Sequence, residues 1–194
     1  MEKENKLNLL LSAALKLFAQ YGYKKTTLED VANELDITKG ALYFYVKNKK
    51  DLYEKSIGHA LSRWKDKVIK AVSKKEDVVD KFMTMAKVSY EYLSNEKDLR
   101  SILLKDPTIF TLSKKEDRFF ELNMGARQII KNILIQGIDE KRFRQVDVEH
   151  TTELLFSIYM MFLIKAYVKS EESSTRKMYD QAYSLILNGL LESK

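Results

Sequence analysis

Side chains able to do covalent or acid–base chemistry are few and scattered in this chain. There is no cysteine, and the two histidines, His59 and His150, lie far apart without metal-ligand companions at a recognised spacing. With no glycine-rich phosphate loop either, the convergent acid, base or nucleophile of an enzyme has little to be built from. No catalytic residue, no metal and no cofactor are therefore expected. His59 reads as a packing residue of a helix and His150 as a surface residue of a first turn. What the chain does offer is a grouping suited to gripping an anion. In ITKGALYFYVKNKK, residues 37–50, a hydroxyl (Thr38) and a cation (Lys39) precede two residues of almost no side-chain volume, Gly40 and Ala41. Three aromatics follow at 43–45, and then Lys47, Lys49 and Lys50.

A helix N-terminus attracts phosphate through its unpaired backbone N–H groups and its dipole. Thr38 can cap such a helix. Gly40 costs it about 1 kcal/mol against alanine, and closer approach of the backbone to another surface is what it gains. At about 3.6 residues per turn, Tyr43, Phe44 and Tyr45 cannot face one way. Leu42 or Phe44 can enter a small core with Val46, leaving Tyr43 and Tyr45 at its edge with hydroxyls free to reach phosphates. Lys49 and Lys50 fall in the first turn of the next helix, where cations oppose the dipole and a bound anion would explain them. Taken singly, the lysines also suit a solvated turn and the tyrosines half-buried packing. Their ordered arrangement argues for an anionic surface.

The elements that must position this stretch are helical. One proline and six glycines, with abundant Leu, Lys, Glu and Ala, favour an all-α fold. Leu7, Leu10, Leu11, Ala14, Leu17, Phe18 and Tyr21 recur at helical spacing, and Gly22 is the stop. Thr27 caps a second helix with Asp30 as its box partner, and Leu28, Val31, Ala32 and Leu35 form the inner face. Asp36 and Ile37 make a tight turn before a third helix over 38–45. Two short helices joined by a tight turn, braced by a preceding helix, make a helix-turn-helix. Asn48, reciprocated by Asp51, starts a long fourth helix striped by Tyr53, Ile57, Leu61, Trp64, Val68 and Val72. Residues 1–46 carry little apolar mass, so the fourth helix must complete their core. The expected division is a helix-turn-helix domain over 1–48, a DNA-binding shape, and a second helical domain over 49–194, for dimerisation and, by the resemblance given below, regulation.

Beyond the charged link at 73–77, Val79, Phe82, Met83, Ala86 and residues 90–93 mark a fifth helix. A short element at 99–104 stops before Pro107, and the loosely patterned IFTLSKK follows. Phe119, Phe120, Asn123, Ala126, Ile130, Ile133, Leu134 and Gly137 mark the next helix, and the last two cover about 147–169 and 173–192. The stretch 149–168 is apolar almost all round in its second half and must be enclosed on several sides. It is either the centre of a monomer or, as favoured here, part of a four-helix bundle that closes a two-fold homodimer through the last two helices.

The charge is uneven. Residues 1–75 hold 16 Lys/Arg against 9 Asp/Glu, while residues 76–194 hold 18 against 19. The whole positive excess thus lies at one end, which argues for an anionic partner there, although solvated surface alone also produces such a bias. No stretch is apolar over the ~20 residues a membrane span needs, and the start of the chain is poor signal-peptide material. These readings suit the cytoplasm.

Residues 22–55, GYKKTTLEDVANELDITKGALYFYVKNKKDLYEK, closely resemble the DNA-binding domain of TetR-family bacterial regulators. Gly22, Thr26, Thr27, Leu28, Val31, Ala32, Thr38, Gly40, Leu42, Tyr43, Tyr45, Asn48, Lys49 and Leu52 match the family pattern at fixed spacing. Asp36 stands where that pattern has a turn glycine, Ile37 replaces its valine, and Val46 its phenylalanine. The resemblance implies a homodimer, usually a repressor, that binds a palindromic operator with one motif per half-site. By the same analogy Thr26, Thr27, Tyr43, Tyr45 and Lys49 position phosphates. Thr38, Lys39 and Ala41 face the bases, with Gly40 permitting close approach.

The resemblance also implies a small ligand among the helices of the second domain, acting on the fourth helix and the spacing of the two reading heads. Candidate pocket residues are Phe82, Met85, Tyr92, Phe110, Phe120, Asn123 and Tyr159. With no obvious charged trap among them, a hydrophobic or amphipathic effector is expected. Met and aromatic residues at helical spacing equally suit a plain core. Competing readings are an activator or ligand-independent DNA binder of the same fold, and a helical protein-interaction or membrane-surface module. The latter gives no reason for small residues at 40 and 41.

Overall fold

The apolar periodicities resolve into helices throughout the computed structural model, which describes residues 2–111, 113, 115–168 and 172–192. In chain order they are α1 (Glu2–Tyr21), α2 (Leu28–Glu34), α3 (Lys39–Leu42), α4 (Lys49–Val72), α5 (Val78–Asn95), α6 (Lys97–Lys105), α7 (Phe120–Asp139), α8 (Val148–Leu163) and α9 (Glu172–Leu190). A 3-10 turn at Pro107–Ile109 precedes α7, and a π-helical turn at Ile164–Val168 extends α8. Leu112 and Lys114 of the loosely patterned stretch lie outside the described residues.

The helices form two compact units. The first takes in residues 1–63 and 96–106, and the second residues 64–95 and 107–194. The first unit therefore reaches past residue 48 and recruits a distant helix. Its centre is Leu10, Ala14, Leu17 and Phe18 of α1, Val31 of α2, Leu42, Val46, and Leu52 and Ile57 of α4. Leu99, Ile102 and Leu103 of α6 are fully buried in the same unit. Each such side chain contributes about 1.5–3 kcal/mol by leaving water. The fourth helix alone does not complete this core; α6 shares the task. It also finishes the end of α1: Ser101 Oγ donates to the Ala19 carbonyl at 2.9 Å, and the Lys105 ammonium donates to the same oxygen. Tyr53 Oη donates to Asp106 at 3.1 Å, and its ring meets Phe18 edge-on at 5.0 Å. Gly22 ends α1 at φ +83°, a conformation that favours glycine.

The second unit is built on aromatic packing. Tyr179 lies 4.5 Å from both Tyr90 and Tyr183, and Phe162 meets it edge-on at 5.3 Å. Phe82 packs on Phe143 and Tyr183. Gly137, inside α7, is set by contact, since a Cβ there would stand 2.1 Å from the Phe143 ring. Tyr179 Oη donates to the Ala86 carbonyl at 2.8 Å, and burial pushes this phenol well above its ordinary range. Not all of the apolar surface turns inward: Leu154 and Met161 of α8 and Met178 and Leu185 of α9 are exposed, each pair spaced by seven residues.

Candidate functional site

Two helix starts build the candidate reading surface. Thr27 caps α2: its hydroxyl accepts from the Asp30 N–H at 3.1 Å, and Asp30 Oδ2 accepts from the Thr27 N–H at 2.7 Å and from its hydroxyl at 2.8 Å. The first of these bonds to the carboxylate holds Asp30 below its ordinary value, and the hydroxyl adds to it. Thr38 caps α3, its hydroxyl accepting from the Ala41 N–H at 3.2 Å. Between them the turn needs a left-handed residue, and Asp36 supplies it at φ +53°. The Ile37 N–H then returns to the Ala32 carbonyl at 3.0 Å.

The third helix is shorter than the expected 38–45. After Leu42 the N–H groups of Tyr43, Phe44 and Tyr45 bond to carbonyls three residues back, and the Val46 N–H bonds to Leu42. Tightening the turn brings both Leu42 and Val46 into the core within four residues. Leu42 fills that place and Phe44 does not: Phe44 is 83% exposed. Thr38, Lys39 and Gly40 are exposed beside it, with Ala41 half-buried. Lys39 meets Glu29 at 3.4 Å across open surface. A Cβ built on Gly40 meets only the Thr38 hydroxyl, at 3.8 Å, and the backbone there is ordinary helix. Nothing within the protein requires glycine at this position.

The basic edge is organised by the start of α4. Asn48 Oδ1 accepts from the Asp51 N–H at 2.9 Å, whereas Asp51 reaches back to the Lys47 N–H at 2.8 Å rather than to Asn48. Burial works against the Asp51 charge, but the Lys47 N–H and Lys55 outweigh it and its pKa is lowered. Lys49 is not loose in solvent. Its ammonium donates to the Lys24 carbonyl at 3.2 Å and lies 4.7 Å above the Tyr23 ring. Tyr23 and Lys24, which the sequence alone does not single out, thus fix this cation; Tyr43 and Lys47 are exposed and Tyr45 is half-buried. Thr26 lies in the interior and not at the expected phosphate edge. It is 1% exposed, and its hydroxyl donates to the Leu17 and Gly22 carbonyls at 3.2 and 3.0 Å. Its place is inside the loop, holding α1 to α2, and not on a phosphate.

The second unit contains a narrow cavity of about 20 Å³, lined by Trp64 and Val68 of α4, Met85 and Ser89 of α5, Ala126 and Ile130 of α7, Phe156 and Tyr159 of α8, and Tyr179 and Tyr183 of α9. That is room for roughly one water molecule. Trp64 stacks on Tyr159 at 5.8 Å. Of the expected pocket residues, Met85 and Tyr159 line this cavity. Phe82 is core against Phe143, and Tyr92 is buried beneath Lys67. Phe110 borders an open cleft of about 640 Å³ with Arg118. Phe120 is exposed, and Asn123 donates to Asp117 at 2.9 Å at the start of α7. The structure does not bring these last five to the cavity. His150 is highly exposed on Asp147, whose hydrogen bond raises it, and His59 is half-buried and lowered by burial, then by Arg63.

Comparison with known proteins places this geometry. The model of bacterial regulatory proteins, tetR family, matches residues 10–55. The HTH-type transcriptional regulator YuxN of Bacillus subtilis is 29% identical over 155 residues, covering 80% of this chain and 52% of that protein. The chain thus spans about half the length of that relative. The biofilm operon icaADBC negative transcriptional regulator IcaR of Staphylococcus aureus is 24% identical over 91% of this chain and 95% of its own. Among solved structures, the transcriptional regulator FadR of Bacillus subtilis in complex with stearoyl-CoA superposes with a TM-score of 0.75, at 16% identity, over 93% of this chain and 97% of that one.

Proposed function

We propose that this chain, whose residues 10–55 match the model of bacterial regulatory proteins, tetR family, is a sequence-specific DNA-binding regulator of that kind, a repressor that holds a palindromic operator as a homodimer. The observation that carries this reading is Gly40. It sits exposed on a capped helix start, in ordinary helical backbone, with space for a larger residue on the protein side. A glycine that the fold does not require fits an outer surface that comes close, and the duplex is that surface. Thr38, Lys39 and Ala41 would face base edges, while Thr27, Tyr43, Tyr45, Lys47 and Lys49 would meet phosphates. Such contacts set affinity and register, whereas base contacts set specificity. A relative named as a negative regulator supports the repressing role.

The dimer would form through α8 and α9, where Leu154, Met161, Met178 and Leu185 offer apolar faces at heptad spacing. The effector would be a small hydrophobic or amphipathic molecule entering the cavity of the second unit, as the stearoyl-CoA complex of a structural relative suggests. Ligand pockets usually begin near about 300 Å³, so the lining side chains must part to admit one. Because α4 runs unbroken from Lys49 to Trp64 and Val68, movement of its cavity-lining half would be felt at the reading surface. Operator binding implies work in the cytoplasm, and among the described residues no helix is long and apolar enough to cross a membrane.

Selection on random duplex DNA tests this. The expected product is a palindrome with half-site centres about 34–36 Å, or a multiple, apart. No enrichment at low salt would overturn the reading. In the selected operator, Lys39→Ala should relax base preference, and Lys49→Ala should weaken specific and random DNA about equally.

A further inference from the structure

Buried polar groups are nearly always paired, and an orphaned donor costs free energy that a ligand can return. Among the described residues two buried nitrogen donors of the second unit lack a partner, one in the cavity wall and one packed on a wall residue. Trp64, which lines the cavity, has its indole N–H buried without a partner. Arg127 has a side chain only 9% exposed; its Nε donates to Glu153 at 2.9 Å, but Nη1 is buried and unpaired. The guanidinium lies 3.7 Å from the ring centroid of Phe156, a residue of the cavity wall, and Ala126 and Ile130 of the same helix line that wall too. Both orphans can only donate. Neither nitrogen has a hydrogen-bond partner among the described residues, and a cationic donor held dry beside apolar walls selects an anion with an apolar body.

We propose that Arg127, with the Trp64 indole N–H, forms the head-group subsite for an apolar acid: the carboxylate takes the unpaired guanidinium donor, and the chain lies among Met85, Ile130, Phe156 and Tyr159. The proposal rests on the effector reading above and narrows its chemistry. Glu153 is the resident competitor. As an anion on the same guanidinium, it lowers the affinity of an incoming carboxylate, so removing its charge strengthens binding.

Trp64 is the only tryptophan in the chain and reports directly. Its fluorescence would be followed in the full chain, without DNA, on titration with decanoate, decanol and decanoyl-CoA, with melting temperature as a second reading. Decanoate should bind at least about tenfold more tightly than decanol, as a charge-assisted hydrogen bond is worth that factor. Arg127→Gln should erase that advantage while leaving decanol unchanged. Glu153→Gln, at a half-exposed carboxylate, should strengthen decanoate several-fold and keeps the test decisive if Arg127→Gln fails to fold. Equal binding of decanoate and decanol, no binding of either, or a response of only the thioester to Arg127→Gln each overturns the carboxylate assignment. Failure of the regulator reading shows separately, as absence of DNA selection, because none of these titrations contains DNA.

Discussion

At the scale of single residues, Gly40 and Asp36 are opposite cases of one question, namely what a backbone position requires. Gly40 has helical geometry and open space, so Gly40→Ala should fold and gain up to about 1 kcal/mol of stability. The same variant should lose operator affinity, read by fluorescence anisotropy, because the added methyl group would stand on the face proposed to meet DNA. A variant that gained stability and kept its affinity would remove the reason given for the glycine. Asp36 has the left-handed geometry that glycine adopts without strain. Asp36→Gly should therefore raise stability by about 0.5–1 kcal/mol in urea titration, with DNA binding unchanged. The departure of Asp36 from the family pattern is thus a tolerated strain and not a different turn. Thr26 shows the limit of reading by pattern. Its match to the family said that the position matters, and only the two inward hydrogen bonds show how.

At the scale of elements, the helix starts were the most legible part of the sequence, because caps are local chemistry. Thr27 with Asp30, Thr38, and Asn48 before Asp51 all cap as their spacing predicts, apart from the one-residue reach of Asp51 to Lys47. Asp77 and Asp147 do the same work at α5 and α8, accepting from the N–H groups of Asp80 and His150, the main cause of their lowered pKa values. A lowered folded pKa means that near pH 4 the unfolded chain binds more protons than the folded one. Stability is then complete above the ordinary aspartate value and falls as acid titrates the folded carboxylates. Asp147→Asn, which keeps a good cap, should flatten the acid limb of a plot of urea midpoint against pH while leaving neutral stability nearly unchanged. What periodicity did not reveal was α6 as a partner of α1. Ser101 lies more than eighty positions from Ala19, whose carbonyl it holds, and no local signal links them. The pocket was illegible for a related reason. Aromatic residues at helical spacing fill a core and line a cavity by the same pattern, and only packing separates Phe82 from Tyr159.

At the scale of the whole molecule, the exposed faces of α8 and α9 set the expected assembly. Leu185 is 66% exposed, so Leu185→Glu should leave the protomer fold intact and the melting curve of the dilute monomer unchanged. In sedimentation it should convert dimer to monomer. Operator affinity should then fall at least about a hundredfold, since the second half-site contact loses the high effective concentration that linkage supplies. A Leu185→Glu dimer would move the interface away from these helices. The sequence already indicated that 149–168 needs covering on several sides; what it left open was whether neighbours within the protomer cover it all, and Leu154 and Met161 show that they do not.

The bond from α6 to the end of α1 bears on portability. A reading head cut at residue 48 would leave behind the helix whose Ser101 and Lys105 hold the Ala19 carbonyl and whose Leu99, Ile102 and Leu103 close the core. A chimera that transplants operator choice from this chain to another regulator therefore has to carry two separate stretches, 1–63 and 96–106, across one exchange. Recombination at a single point near 48 would yield soluble heads only where the recipient happens to supply an equivalent α6. The proposed recognition surface is local in sequence, but the unit of inheritance that keeps it folded is not.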